Sequence, residues 1–585
     1  MQHRLNPNQW IRAIGVLLAL LLISLYLSRS MPPKPRLLSD PFLQFPDRTS
    51  VRVVWFTEFA GKEHTVTYGE NLERSAIAQT TQLSRTREDG KSYIGTQAGD
   101  GTVFSQATPR SIWRHEAQIT GVSGATSVPY RVTSVAEDGG SIDSDPFTLS
   151  AAPEPGQPLK ILLTSDHQLK PLTAANLQKV EETIGQVDAV FLAGDLVNIP
   201  DRASEWFDDS RGGAFFPSLQ GRADYELEKE GVATRYRGGT LIQSAPLFPA
   251  IGNHEVMGRF SSDRDLNEQF NDAIPSWVAA KRLTDAGINP QRNFDKLKDA
   301  SYNSDTYEEI FSLPQDSPYY AVTFGDIRLV VLYATHIWRP PAPNTRGRDQ
   351  EHPEDLQEPE KWGYGQHIFE PIDEGSWQYR WLTQELSSPE FAEAKYKIVM
   401  FHHPPHTLGG NGMPAFTDPV QAIDRDNHGN IQAIRYEYPR RNDYLIRDVV
   451  PLLESAKVQL VFYGHSHLWN RFLGEGGMHF LESSNVGNSY GAHLKGNPRP
   501  VPPGTNDDRD YVAIGDPNGK EAIVPNLAPL LDNQNRPLPY LASNDMTAFS
   551  ILDTGTGTVS SYYFDTRSPD SEVVKFDEFA LTSRK

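Results

Sequence analysis

The order in which five polar motifs end five apolar runs constrains this chain more than any other feature. Ser165-Asp166-His167-Gln168 follows LKILLT, and Gly194-Asp195-Leu196-Val197-Asn198 follows DAVFLA. Gly252-Asn253-His254-Glu255 follows APLFPAI, His402-His403-Pro404-Pro405 follows YKIVMF, and Gly464-His465-Ser466-His467 follows VQLVFY. Short apolar runs bounded by turn residues read as buried strands. Between the first two lies TAANLQKVEETIGQV, with Leu177, Val180, Ile184 and Val187 at helical spacing. Strand, helix, strand is the grammar of an α/β sheet, and residues just past such strands converge on one site.

The motif residues are carboxylates, amides and imidazoles, the oxygen and nitrogen donors of borderline transition metals. Placed after an apolar strand, Asp195 is a costly buried charge unless something pairs with it. The chain of 585 residues has no cysteine, which excludes thiolate zinc sites, iron–sulfur clusters, cysteine nucleophiles and disulfides. With 16 His and 44 Gly, a Gly-His-x-His match arises by chance about 0.03 times in this length. Its arrival after the other four motifs, in this order, is not a coincidence of composition.

The flanks read differently. Arg4 and Arg12 precede an uncharged run of 16 residues, Ala13 to Ser28, and Arg29 follows. The run is shorter than the ~20 residues of a membrane span and longer than the ~7–15 of a signal-peptide core. Residues 1–30 therefore read as an export signal, cleaved or kept as an N-terminal membrane anchor, and the rest as extracytoplasmic: periplasmic, secreted or anchored facing outward. Residues 41–150 read as an all-β sandwich of about seven short strands. Val51, Val53 and Trp55 alternate as in a half-buried strand, and Val128, Tyr130 and Val132 share a face. Two Pro-rich polar stretches, 339–375 and 495–540, read as long loops. A net charge of −20 argues against nucleic acid as the main partner.

The motif set resembles the calcineurin-like metallophosphoesterase superfamily over about 160–490, and with the β-rich segment in front the chain is similar to purple acid phosphatases. HEAQITGVSGATSVPYRVTSV resembles the late strands of a fibronectin type III domain, with Tyr130 as a corner tyrosine. The fold implied is an α/β (α+β) sandwich over 158–585 behind an immunoglobulin-like or fibronectin III-like domain over 41–150. The resemblance also implies two transition-metal ions, Fe, Mn or Zn. By motif position Asp195 bridges them. Asp166 and His467, with Gln168, complete the first; Asn253, His402 and His465 complete the second. His254 faces substrate as acid or charge stabiliser, and His406 is a further substrate-facing candidate. His403 reads as a supporting or exposed neighbour of His402. Two positions depart from the family pattern: Gln168 stands where the superfamily has histidine, and Asn198 where purple acid phosphatases have a tyrosine ligand. The implied activity is phosphate-ester hydrolysis by a metal-bound hydroxide, monoesters before diesters. A phosphodiesterase, or a weakly catalytic binding protein on the same fold, is the alternative.

Overall fold

The computed structural model describes residues 35–95, 104–337, 347–500 and 511–581; residues 1–30, read above as signal or anchor, lie outside them. Among the described residues no helix is long and apolar enough to cross a membrane.

Two sheets form the α/β part. One runs in the order Leu247–Pro249, Ala189–Leu192, Lys160–Thr164, Met546–Asp553, Thr558–Asp565, Val574–Ala580. Its first three strands are parallel. The other runs Tyr320–Phe324, Ile327–Val331, Tyr396–Met400, Leu460–Tyr463, His479–Ser483, Trp469–Leu473, Tyr540–Leu541. Its four strands from Ile327–Val331 to His479–Ser483 are parallel. Ile398, Met400, Leu460 and Phe462 turn into a core shared with Ile161, Phe191 and Phe549 of the first sheet. Their neighbours Val399, Phe401, Val461 and Tyr463 turn outward onto Leu382, Leu445 and Leu453. Both faces of these strands are covered, and this is why the runs are continuously apolar.

The helix expected after the first motif spans Thr173–Ile184. The antiparallel pair Tyr320–Phe324 with Ile327–Val331 and the hairpin Met546–Asp553 with Thr558–Asp565 also form. RNDYLIRDVVPLLESAK opens with a π-helical turn, Leu445–Val449, before α-helix Val450–Ser455. Pro451, which has no N–H to donate, sits at that junction.

In the N-terminal part, sheets of four and five strands face each other around Val51, Val53, Trp55, Val66, Ile119 and Val132. Among the described residues these two sheets hold nine strands where about seven were expected, because pieces such as Phe42–Gln44 and Ser141–Asp143 are too short to show a period. Strand Ser50–Thr57 was expected half-buried and is buried on both faces. Val54 and Phe56 join the core of the α/β part, where Phe56 meets Phe207 and Phe216 with ring centroids 4.9 and 5.4 Å away. Tyr130 is not a corner tyrosine: its hydroxyl crosses to the α/β part and donates to the Gln243 carbonyl at 2.6 Å.

A segment at 85–93 locks the two parts together with buried charges. Arg87 pairs with Asp201 at 2.7 Å, and Arg202 with Asp89 at 3.1 Å. Glu88 accepts the Ser204 N–H at 2.8 Å and pairs with Arg110 at 2.9 Å. Removing one partner of a buried pair strands the other charge at a cost of about 3–5 kcal/mol. Arg87→Ala is expected to destabilise the protein by that amount in urea unfolding, and adding Asp201→Asn should recover most of it. A loss no larger than the ~1 kcal/mol of an exposed pair would contradict this.

Candidate metal centre

The five motif turns leave the C-terminal ends of parallel strands, three from one sheet and two from the other, and meet between them. To turn their side chains toward one point, Asp166, Gln168, Asp195, His465 and His467 take left-handed backbone, with φ of 60, 32, 56, 83 and 55°. Such conformations cost of order 1–3 kcal/mol each for residues with a Cβ and concentrate at functional sites. The motif glycines allow close approach: a Cβ on Gly252 would lie 2.3 Å from Asp195 Oδ1, and one on Gly464 2.2 Å from Asp166 Oδ2.

Asp195, His402 and His465 are buried and bring one ligand atom each within 4.8 Å of one another. His402 Nε2 lies 3.1 Å from Asp195 Oδ2 and 3.0 Å from His465 Nδ1. Its Nδ1 donates to the Ala193 carbonyl at 2.8 Å, which fixes the ring and turns Nε2 inward. Alongside, both Asp166 oxygens accept the His465 N–H, at 3.1 and 2.9 Å. His467 Nε2 lies 3.4 Å from Asp166 Oδ1, while its Nδ1 donates to the Asn488 carbonyl at 3.0 Å. The Gln168 amide nitrogen donates to Asp195 Oδ2. Gln168 Oε1 is buried without a hydrogen-bond partner among the described residues. Asn253 is buried and opens a 3-10 turn, Asn253–Glu255, against the same cavity. This mixed set of carboxylate, amide and imidazole donors fits borderline transition metals.

The electrostatics favour a cation here. Burial works against a charged His402, but Asp195 and Asp166 outweigh it and raise the ring to about 10. Burial also works against ionised Asp195, yet His402 and His254 hold it below the usual carboxylate range. Glu255 anchors the turn by accepting the N–H groups of Asp195, Leu196 and Gly252 at 2.9, 2.7 and 2.8 Å. Burial, then the Asp195 charge, raise its pKa. Motif position assigned Glu255 no role; the signal was the fourth letter of its motif.

A cavity of about 1490 Å³ opens onto this cluster and is lined by Gln168, Asp195, Asn253, His254, His465 and His467, among others. His254 donates its backbone N–H to Asp195 Oδ1 at 3.0 Å, and its Nδ1 to the Asn198 carbonyl at 2.8 Å. Asn198, at the position of the family's tyrosine, thus orients His254 through its main chain. His406 does not line the cavity. Asp516, from the second long loop, holds its Nδ1 at 2.8 Å, and its ring packs on Phe480 with centroids 4.7 Å apart. His403 is buried between His336 and Phe416. His167 turns into the core, bonded to Thr164 at 3.0 Å. Two further contributors carry no sequence motif: Lys170, and Gly90–Tyr93 from the N-terminal part, which form one wall of the cavity.

Two mixed sheets whose parallel strand ends deliver these donors to one buried point define a metallophosphoesterase. Residues 159–468 match the calcineurin-like phosphoesterase family, and the chain belongs to that family. A purple acid phosphatase, PPD1 from yellow lupin (Lupinus luteus) seeds, shares the fold at a TM-score of 0.50 and 14% identity, over 92% of this chain and 74% of its own. GAP50, the anchor in the inner membrane complex of Plasmodium, aligns over 72% of this chain and 89% of its own at 11% identity and a TM-score of 0.32. No curated protein matches the sequence significantly.

Glutamine at position 255 would set an NH₂ against backbone N–H groups and open the turn beneath Asp195. Glu255→Gln is therefore expected to weaken metal binding about 10–100-fold, as loss of an outer-shell partner does. Titrating metal-stripped protein with Mn²⁺ or Zn²⁺ checks it; unchanged affinity would contradict it.

Proposed function

We propose that the chain is an exported phosphomonoesterase of the acid phosphatase type that works with two transition-metal ions. The observation that carries this is the buried convergence of Asp195, His402 and His465 beside the large cavity, which Asp195 and His465 line. Asp166, Gln168 and His467 would hold one ion, Asn253, His402 and His465 the other, with Asp195 between. Fe, Mn and Zn all suit this donor set. Bound there, the ions supply hydroxide at neutral pH and countercharge for phosphate oxygens.

The protein's own groups do the rest. His254, fixed through Nδ1, carries the proton for the leaving oxygen at Nε2. Lys91, Lys170, Arg202, Arg211, Arg348 and Arg499 line the cavity against the carboxylates Asp195, Glu205, Asp209 and Asp349, so the lining carries an excess of basic groups in a chain whose net charge is −20. The wall from Gly90–Tyr93 restricts access from the N-terminal side.

Assay of an aryl phosphate and its bis-ester with Mn, Fe or Zn tests the reading. Turnover of the monoester above the diester is expected; none with any metal would leave a phosphatase-fold binding protein. His254→Ala should keep the metals and lose about 10²–10⁴ in rate on alkyl phosphates, less on nitrophenyl phosphate, whose leaving group needs little protonation. Equal losses on both would assign His254 to phosphate binding instead. Export rests on the Arg-flanked run Ala13 to Ser28. Residues 1–30 fused to a reporter active only outside the cytoplasm should give signal; a well-expressed, silent fusion would contradict export.

A further inference from the structure

We propose that Lys170 is a substrate ligand: its ammonium binds a non-bridging phosphate oxygen and makes the site prefer the dianion of a monoester to the monoanion of a diester. The inference rests on the phosphoesterase reading above and names a residue outside every metal-binding motif.

Lys170 lies two residues past Gln168, at the end of a turn in which Asp166, Gln168 and Leu169 have φ of 60, 32 and 53°. Its backbone is held on both sides. Its N–H donates to the His167 carbonyl at 2.6 Å, and its own carbonyl accepts from Thr173, the first residue of helix Thr173–Ile184, at 3.1 Å. The side chain is thereby directed into the cavity, where it is half-buried on the wall with Gln168, Asp195, Asn198 and His254.

The other basic side chains of this region are engaged. Arg202 is paired with Glu205 at 2.8 Å, Arg211 with Asp209 at 2.7 Å, and Lys91 with Asp265 at 2.8 Å. Arg499 donates to the carbonyls of Thr407, Gly409, Val512 and Gly515. Lys170 differs. Burial works against its charge, Asp195, Asp166 and Glu205 favour it through space, and none of the three accepts a hydrogen bond from it. Among the described residues its ammonium has no bonded acceptor. It shares the wall with the neutral amides Gln168 and Asn198 and with Arg202, whose charge is taken up by Glu205, so Lys170 is the cation here left to meet a ligand.

An ammonium offers three donors and no acceptor. A phosphomonoester dianion brings three non-bridging oxygens and two charges; a diester brings two oxygens and one charge. The Coulomb gain scales with that charge. Removing the ammonium should therefore cost the monoester more than the diester.

The test uses the full chain, metal-loaded, as wild type, Lys170→Gln and Lys170→Arg. For Lys170→Gln, kcat/KM on an aryl phosphate should fall about 10–100-fold, the worth of a hydrogen bond to a charged group. On an aryl methyl phosphate it should fall much less. Inhibition by inorganic phosphate should weaken in parallel, metal content should be unchanged, and Lys170→Arg should keep the preference for the monoester. Equal losses on the two esters, or a fall in metal content, would overturn the proposal. Should the wild type hydrolyse neither ester, the phosphoesterase reading itself fails. Lys170 is then judged on equilibrium binding of inorganic phosphate: about tenfold weaker binding in Lys170→Gln supports the assignment, and equal binding overturns it.

Discussion

A carboxylate taken out of water at the end of an apolar strand has to be met by cations or donors, and Asp195 is met from several sides. The His254 N–H and the Gln168 amide donate to its oxygens, and the His402 ring lies 3.1 Å away. These groups come from different turns on both sheets, so the position of Asp195 ties the two layers into one site. The turn that presents it is held in turn by Glu255, which is itself buried. A buried charge of this kind is strongly unfavourable alone, and its partners offset that cost. That asymmetry is a physical reason for the left-handed backbone at five site residues.

The N-terminal sheets belong to the same construction. Strand Ser50–Thr57 gives one face to its own sandwich and the other to the core of the α/β part. The buried pairs of Arg87 with Asp201 and Asp89 with Arg202 continue the contact to the rim of the cavity. Since Gly90–Tyr93 line that cavity, any movement of the N-terminal sheets would reshape the approach to Asp195 and His465. The second long loop closes the opposite side. Asp516 holds His406 and the Thr407 N–H, and Arg499 gathers the carbonyls around them. Its irregularity comes from wrapping existing strand ends rather than from adding strands.

Most of the centre was legible in the sequence because strand-end motifs carry two signals at once, an apolar run and a run of donors. Asp166, Gln168, Asp195, Asn253, His402, His465 and His467 all combine them, and the turns bring them together. His406 misled because its partner lies 110 positions away in a stretch with no period. Strand Ser50–Thr57 misled because alternation reports one buried face and is silent about a second layer. Tyr130 sat on the expected face, but its hydroxyl answers to Gln243, a contact that no local pattern encodes. Lys170 had no signal at all: a lysine in a turn reads as solvated, and only the three-dimensional course of that turn puts it in the cavity.

The proposed metal centre is assembled on the Asp195 carboxylate. Elemental analysis of the purified chain beside Asp195→Asn, with folding verified by circular dichroism, tests it most directly. Two transition-metal ions per wild-type chain are expected, with the loss of both in a folded Asp195→Asn protein. A folded variant that keeps both ions, or a wild type that binds none when offered Mn, Fe or Zn, would contradict it.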